Sequence, residues 1–142
     1  MLTKRGKIFT PAILATFLSW GTSSVLAESI GGTWDGHYYY SDPREPVPFT
    51  LEINVHEAAF AGKTSEPNTT ENPTTPHLYA AVKGTVSGQA VSFEKTYDGT
   101  DGQTHTVYYE GRIVAPDKIE GIWDFGRLEG TFELSRREIA EL

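Results

Sequence analysis

The feature that most constrains this chain is a glycine repeatedly placed two residues before an apolar residue on the same side of a strand. Five such pairs occur in separate runs: Gly32/Trp34, Gly84/Val86, Gly111/Ile113, Gly121/Trp123 and Gly130/Phe132. Glycine weakens a strand interior unless the fold needs the missing side chain, usually at a sharp bend or a close approach. Glycines repeated on the inward side let a small barrel coil tightly enough to close. The pattern therefore favours a small closed barrel.

Short runs of alternating apolar and polar residues fill the chain from Gly31 onward, separated by clusters of Gly, Pro, Asp and Asn. This alternation is typical of strands joined by turns. The runs lie near residues 32–40, 49–56, 58–64, 78–86, 91–97, 104–114, 118–125 and 128–136. Eight runs in sequence order predict an all-β fold, an antiparallel up-and-down eight-stranded barrel. Closure pairs both sheet edges. A curved β-sandwich remains the alternative.

One long polar stretch, Lys63 to His77, interrupts this pattern and carries Pro67, Pro73 and Pro76. Proline removes a backbone donor, so the stretch is predicted to be a single long loop. Loops of this length in compact domains are often lids or binding loops. Glu66, Pro67 and Asn68 are therefore the predicted loop site, although a merely tolerated polar excursion explains the stretch equally well.

The N-terminus resembles a secretory signal. Lys4, Arg5 and Lys7 precede an apolar stretch, and small residues lead to Val25-Leu26-Ala27. This layout predicts a cleaved signal peptide over residues 1–27 and a single β-barrel domain over residues 28–142. An uncleaved membrane anchor is the alternative. With the signal removed, no membrane anchor is expected, and the protein is predicted to be periplasmic or extracellular.

Charge and cysteine content narrow the possible partners. The chain has a formal net charge of −7, and loss of the three basic residues of the signal lowers it by three, to −10. So acidic a protein repels phosphate backbones, which disfavours nucleic-acid binding. The chain contains no cysteine, which removes disulfides, thiol chemistry and cysteine metal sites. Its core alone must therefore stabilise the domain.

Gly32-Thr33-Trp34, on the first predicted strand, resembles the Gly-x-Trp that begins many calycins, the superfamily of lipocalins, fatty-acid-binding proteins and avidins. Gly121-Ile122-Trp123 and Gly130-Thr131-Phe132 resemble the closing strands of avidin-like barrels. The resemblance implies a secreted calycin-like barrel and does not transfer a ligand. Disulfides common in lipocalins are absent here.

Aromatic residues dominate the predicted inward side. Trp34, Tyr38, Tyr40, Tyr109, Trp123 and Phe125, together with Phe132, are expected to line the interior. The first six are the predicted ligand-binding residues, since aromatic walls with a few polar tips suit small molecules. The alternative is that the rings fill the barrel, whose eight strands leave room for side chains or one small ligand.

The sequence shows no grouping of residues that is typical of a metal site or of a catalytic site. The four histidines are scattered, and a zinc site needs three or four converging ligands, so no metal site and no cofactor are predicted. Trp34-Asp35 and Trp123-Asp124 repeat a Trp-Asp pair, but inward tryptophans place both aspartates in solvent, against a glycosidase-type acid pair. The chain is therefore expected not to be an enzyme.

The sequence thus predicts an exported, non-enzymatic binding protein that holds a small apolar or aromatic ligand in a barrel mouth. The alternative is a protein-facing module, an inhibitor or envelope assembly factor, that acts through its loops while the interior is filled.

Overall fold

The chain forms a closed antiparallel barrel of eight strands in a computed structural model that describes residues 30–138. The strands are β1 (Gly32–Tyr40), β2 (Val47–His56), β3 (Ala59–Pro67), β4 (His77–Ser87), β5 (Ala90–Tyr97), β6 (Thr106–Ala115), β7 (Lys118–Phe125) and β8 (Leu128–Arg136). A single 3₁₀ turn, Thr100–Gly102, lies between β5 and β6. Each strand pairs with its neighbours in sequence, and β1 pairs with β8. The predicted fold class is confirmed.

Along the strands, every second side chain points into the barrel. In β5, for example, Val91, Phe93, Lys95 and Tyr97 are buried while the intervening residues are exposed or half-buried. Among residues 30–138, twenty-two buried apolar residues form the core. Aromatic rings meet near its centre, where Phe93 stacks on Tyr109 at 4.6 Å between ring centroids. Phe132 lies 5.1 Å from Tyr109. Side chains therefore occupy most of the barrel interior.

Gly121 illustrates why the strands need inward glycines. It pairs with Gly111 across β6 and β7. A Cβ at Gly121 would overlap the Glu110 carbonyl oxygen and the Gly111 Cα atom, both of which are backbone atoms that cannot simply rotate away. The close approach of these strands therefore requires glycine, as the sequence pattern predicted.

The end of the barrel at which β1 begins is closed by Trp34. Its side chain is 0% exposed, and its indole Nε1 donates a 2.9 Å hydrogen bond to the carbonyl oxygen of Ile30. The Arg136 guanidinium lies 4.4 Å from the ring centroid and donates a 2.6 Å hydrogen bond to the carbonyl oxygen of Gly31. These contacts join the segment before β1 to the last strand.

The prediction of one loop from Lys63 to His77 is wrong in its first part. Strand β3 continues through Pro67, in register with β4 as far as the pair Pro67 and His77. The irregular connection is shorter, residues 68–76. Proline is tolerated at this last strand position, where it ends the pairing.

The predicted signal peptide, residues 1–27, lies outside the described residues, so its cleavage stays a prediction. Within residues 30–138, no helix is long and apolar enough to cross a membrane.

Candidate functional site

An aromatic recess opens at the end of the barrel that carries the 41–46, 68–76, 98–105 and 126–127 connections, here called the long-loop end. Its volume is about 40 Å³. Nine residues line it: Tyr38, Tyr40, Tyr97, His105, Val107, Tyr109, Trp123, Phe125 and Leu128. Tyr40, His105, Phe125 and Leu128 are partly exposed and form its rim, whereas the other five are buried.

Two sets of ring contacts build the walls of the recess. Tyr40 meets Trp123 edge-on at 5.2 Å, and Tyr38 lies 5.8 Å from each of these rings. In the second set, His105 lies 4.7 Å from Tyr97 and 4.3 Å from Phe125. Edge-on and tilted ring pairs of this kind stabilise each other beyond their buried area. The recess is therefore formed by mutually supported rings.

A buried polar cluster lies next to the recess, inside the barrel. The Lys95 Nζ atom is 2.6 Å from Glu66 Oε1, and the exposed fractions of the two residues are 0% and 3%. The Tyr97 hydroxyl donates to Glu66 Oε1 at 2.9 Å, and the Tyr38 hydroxyl donates to Glu66 Oε2 at 2.7 Å. Both tyrosine rings also line the recess, so this polar cluster and the recess share their walls.

Aromatic rings surround the Lys95 ammonium. The Nζ atom lies 4.7 Å from the ring centroid of Tyr97, 4.9 Å from that of Tyr38, and somewhat farther from Phe49 and Tyr109. Burial lowers the pKa of Lys95, and the adjacent Glu66 carboxylate opposes this change. Burial, reinforced by Glu66, raises the pKa of Tyr38 and Tyr97, which keeps both hydroxyls protonated as donors.

His105 is the titratable group on the rim. Burial lowers the pKa of its imidazole below 6.5, the positive charge of Lys95 lowers it further, and Glu66 partly offsets both. The lowered pKa favours the neutral form of His105. A neutral imidazole keeps its ring packed against Tyr97 and Phe125.

Two of the connections at the long-loop end are tied together by Asp101. Its carboxylate accepts hydrogen bonds from the Thr74 amide at 3.0 Å, the Thr74 hydroxyl at 2.5 Å and the Asn68 side-chain amide at 2.6 Å. The hydrogen bonds from Thr74, with that from Asn68, lower the pKa of Asp101. Residues 68–76 and 98–105 therefore form one connected surface beside the recess.

The predicted loop site separates into two parts. Asn68 lies in the connection and contacts Asp101, whereas Glu66 and Pro67 belong to β3. Glu66 points into the barrel, because it continues the inward side of Phe60, Gly62 and Thr64. The expectation that Glu66 and Pro67 form part of a loop is thus wrong.

Five of the six aromatic residues predicted to bind a ligand come together at the recess: Tyr38, Tyr40, Tyr109, Trp123 and Phe125. Trp34, the sixth, closes the end at which β1 begins and does not line the recess. Their role in binding stays a prediction.

The sequence analysis missed Lys95, Tyr97 and His105 as site residues, and it placed Glu66 in a loop rather than in the buried polar cluster. The available signal was Lys95, which shares the inward side of β5 with Val91 and Phe93. A lysine at such a position needs a buried carboxylate partner.

In both Trp-Asp pairs the aspartate faces outward, as the alternation predicts, while the tryptophan is buried. Asp35 is bound on the outer surface by Arg137, whose Nη2 lies 2.6 Å from Asp35 Oδ1, and Asp124 is exposed. Within residues 30–138, no three His, Cys, Asp or Glu side chains are grouped closely enough to hold a metal ion.

No protein-family profile and no curated protein matches the chain. Several solved structures are similar to the chain. A redesigned β-barrel is 13% identical, with a TM-score of 0.67, over 82% of this chain and 96% of its own. A protein named EF1p2_mFAP2b, solved bound to DFHBI, is 12% identical, with a TM-score of 0.65, over 81% and 99%. A fluorescence-activating β-barrel of de novo design is 19% identical, with a TM-score of 0.58, over 78% and 96%. At these identities the likeness shows the fold alone: the chain is an eight-stranded antiparallel β-barrel.

Proposed function

We propose that the protein is an exported, non-enzymatic binding protein that holds part of a small molecule in the aromatic recess. The main support for this proposal is the recess itself, whose rim carries partly exposed rings and whose floor is buried beside hydrogen-bonded tyrosines. Concave aromatic sites with a few placed polar groups are typical of small-molecule binding. The solved structure of EF1p2_mFAP2b with DFHBI supports the idea that a barrel of this shape can carry a ligand.

The volume of the recess limits how a ligand would bind. The recess is small, about 40 Å³, so only one compact group of a ligand can enter it. Below the recess, the stacked rings of Phe93 and Tyr109 and the Lys95 side chain occupy the interior. The ligand would therefore insert one compact group and lie mainly against the rim and the adjoining loops.

The relation to calycins is part of this proposal. Support comes from Gly32-Thr33-Trp34 at the start of β1 and from the glycine-aromatic pairs Gly121/Trp123 and Gly130/Phe132 in β7 and β8.

The tryptophans provide a sharp test. Trp20 leaves with the proposed signal peptide, so Trp34 and Trp123 remain, and Trp123 alone of these two lines the recess. In the variant Trp34→Phe, a bound small molecule should change the Trp123 emission saturably. In the matched variant Trp123→Phe, the Trp34 emission should respond weakly. Equal responses of both tryptophans, or no response to a broad set of apolar and aromatic probes, would contradict the proposal.

Export has its own measurement. Mass spectrometry of the protein recovered from the producing cell should find Glu28 as the first residue. Recovery of the chain with Met1 in the membrane fraction would refute export and leave the recess proposal to be judged separately.

The second candidate function is a protein-facing module. It is favoured by the filled interior and by the Asp101 hydrogen bonds that join residues 68–76 to residues 98–105 in one surface. If this second function is correct, replacing residues 69–75 by a short glycine linker should abolish capture of the partner protein. Trp123 emission should then respond to small molecules neither in the unaltered protein nor in the loop variant.

A further inference from the structure

We infer that the group held in the recess is a compact organic ammonium, such as the trimethylammonium end of a larger molecule. This inference rests on the proposed function and narrows it to one chemical class. It is carried by the rings of the recess, by the cations that already lie against those rings, and by the charge around the opening.

The recess offers ring faces and edges in place of formal charges. Seven of its nine lining residues carry aromatic rings, four of them tyrosines. The face of an aromatic ring is electron-rich, and clusters of such rings recognise quaternary ammonium groups, whose charge is spread over methyl groups that shed water readily. An ammonium ion is therefore better matched to these walls than an anion.

Rings of this recess already bind cations within the protein. The Arg44 guanidinium lies 4.5 Å from the centroid of the Tyr40 ring on the rim. From inside, Lys95 Nζ lies 4.9 Å from the Tyr38 ring and 4.7 Å from the Tyr97 ring. The rings of Tyr40, Tyr38 and Tyr97 therefore already take part in cation–π contacts.

Lys95 would repel a bound ammonium if its charge were not balanced. Glu66 balances it at 2.6 Å, and the same carboxylate accepts hydrogen bonds from Tyr38 and Tyr97. A phenol that donates to a carboxylate becomes more electron-rich, which strengthens its attraction for a cation. The lowered pKa of His105 disfavours a positive charge on this rim residue.

The small size of the recess and the charge of the loops around it also favour an ammonium ligand. The recess is small, about 40 Å³, which limits the inserted part to one compact group such as the end of an organic ammonium. The four connections at the long-loop end contain five carboxylate residues against two arginines. Such an excess of negative charge raises the local concentration of cations.

The deciding experiment compares two probes of the same shape. Choline and 3,3-dimethyl-1-butanol differ in one central atom, charged nitrogen or neutral carbon. Titrated into the Trp34→Phe variant and followed by Trp123 emission, choline should bind about 10-fold more tightly than the alcohol, consistent with cation–π energies of roughly 0.5–2 kcal/mol.

A variant on the rim separates ring electrostatics from apolar contact. Tyr40→Leu should weaken choline binding about fivefold and leave the weak binding of the alcohol unchanged. The matched control is Tyr79→Leu on the outer surface of β4, where Tyr79 is 49% exposed, and it should alter neither affinity. An equal loss of both ligands in Tyr40→Leu would mean that the ring acts only as apolar surface, which overturns the inference.

The failures are distinguishable. If the alcohol binds as tightly as choline, the ammonium inference is wrong while the recess remains a ligand site. If neither binds but other probes still change the Trp123 emission, the inference is again wrong and the proposed function stands. If no probe of any class changes that emission, both fail.

Discussion

Removing the charge of Glu66 should destabilise the barrel far more than removing both charges of the buried pair. In Glu66→Gln, the ammonium of Lys95 keeps an oxygen acceptor but loses its counter-charge while 0% exposed. Breaking a buried ion pair in this way costs about 3–5 kcal/mol of unfolding free energy.

Removing Lys95 instead should cost less. In Lys95→Met, the Glu66 carboxylate retains the hydrogen bonds from Tyr38 at 2.7 Å and Tyr97 at 2.9 Å. Hydrogen bonds to a charged group contribute about 1.5–3 kcal/mol each. We therefore expect a loss of roughly 2 kcal/mol for this variant.

The double variant Lys95→Met/Glu66→Gln removes both charges and leaves an amide oxygen that can accept from the tyrosines. Replacing a buried pair by neutral groups of similar volume is often close to neutral. We expect a total loss of about 1 kcal/mol. The two single losses, about 3–5 and roughly 2 kcal/mol, would then exceed the loss of the double variant by about 4–6 kcal/mol, which is the coupling between the two sites.

The assay is urea unfolding followed by tryptophan emission. The comparison requires that the slope of the unfolding free energy against urea concentration is the same in all variants. Single losses that add within about 0.5 kcal/mol would show that the two side chains act independently. The description of Lys95 and Glu66 as one balanced unit would then be refuted.

Three shorter predictions concern His105, Gly121 and Thr64. Proton NMR titration should give His105 a pKa below 6.5. Because the unfolded chain would then bind a proton at a higher pH than the folded chain, the free energy of unfolding should fall as the pH drops below about 6.5. His105→Asn should remove this fall, and a measured pKa above 6.5 would contradict the argument. Gly121→Val should cost about 1–3 kcal/mol through overpacking, whereas Thr131→Val on the exposed side of β8 should not; equal unfolding midpoints would count against the role assigned to the glycine. The Thr64 hydroxyl oxygen is buried with no hydrogen-bond partner among the described residues, so Thr64→Val should be neutral or stabilise by up to ~1 kcal/mol, and a loss above 1 kcal/mol would mean that the hydroxyl has a partner.

The alternation of side chains predicted the barrel because it depends only on local sequence. Glycines such as Gly121 and Gly130 could be assigned to the inward side before any contact was known, and closure followed from eight runs with two edges to pair. The inward aromatics were predicted for the same reason, and most of them meet at the recess.

Contacts between distant strands could not be predicted in this way. Lys95 and Glu66 are 29 residues apart, and their meeting depends on β3 extending three residues beyond Thr64 despite a proline at its end. The local signal of Pro67 and the following Asn and Thr residues favoured a loop, but pairing with β4 continued the strand. His105, one of the histidines treated as scattered, lies just before β6, and its contact with Phe125 of β7 follows from the pairing of β6 with β7.

Pairing of β1 with β8 brings the two ends of the described chain side by side. The Arg137 amide donates a 2.8 Å hydrogen bond to the carbonyl oxygen of Thr33, and Arg136 bonds to Gly31. A short linker joining these segments would turn the barrel into a continuous ring of strands. The sequence could then be reopened within residues 68–76, giving a circular permutant in which new termini flank the recess. In such a permutant, a fused reporter would sit beside the recess.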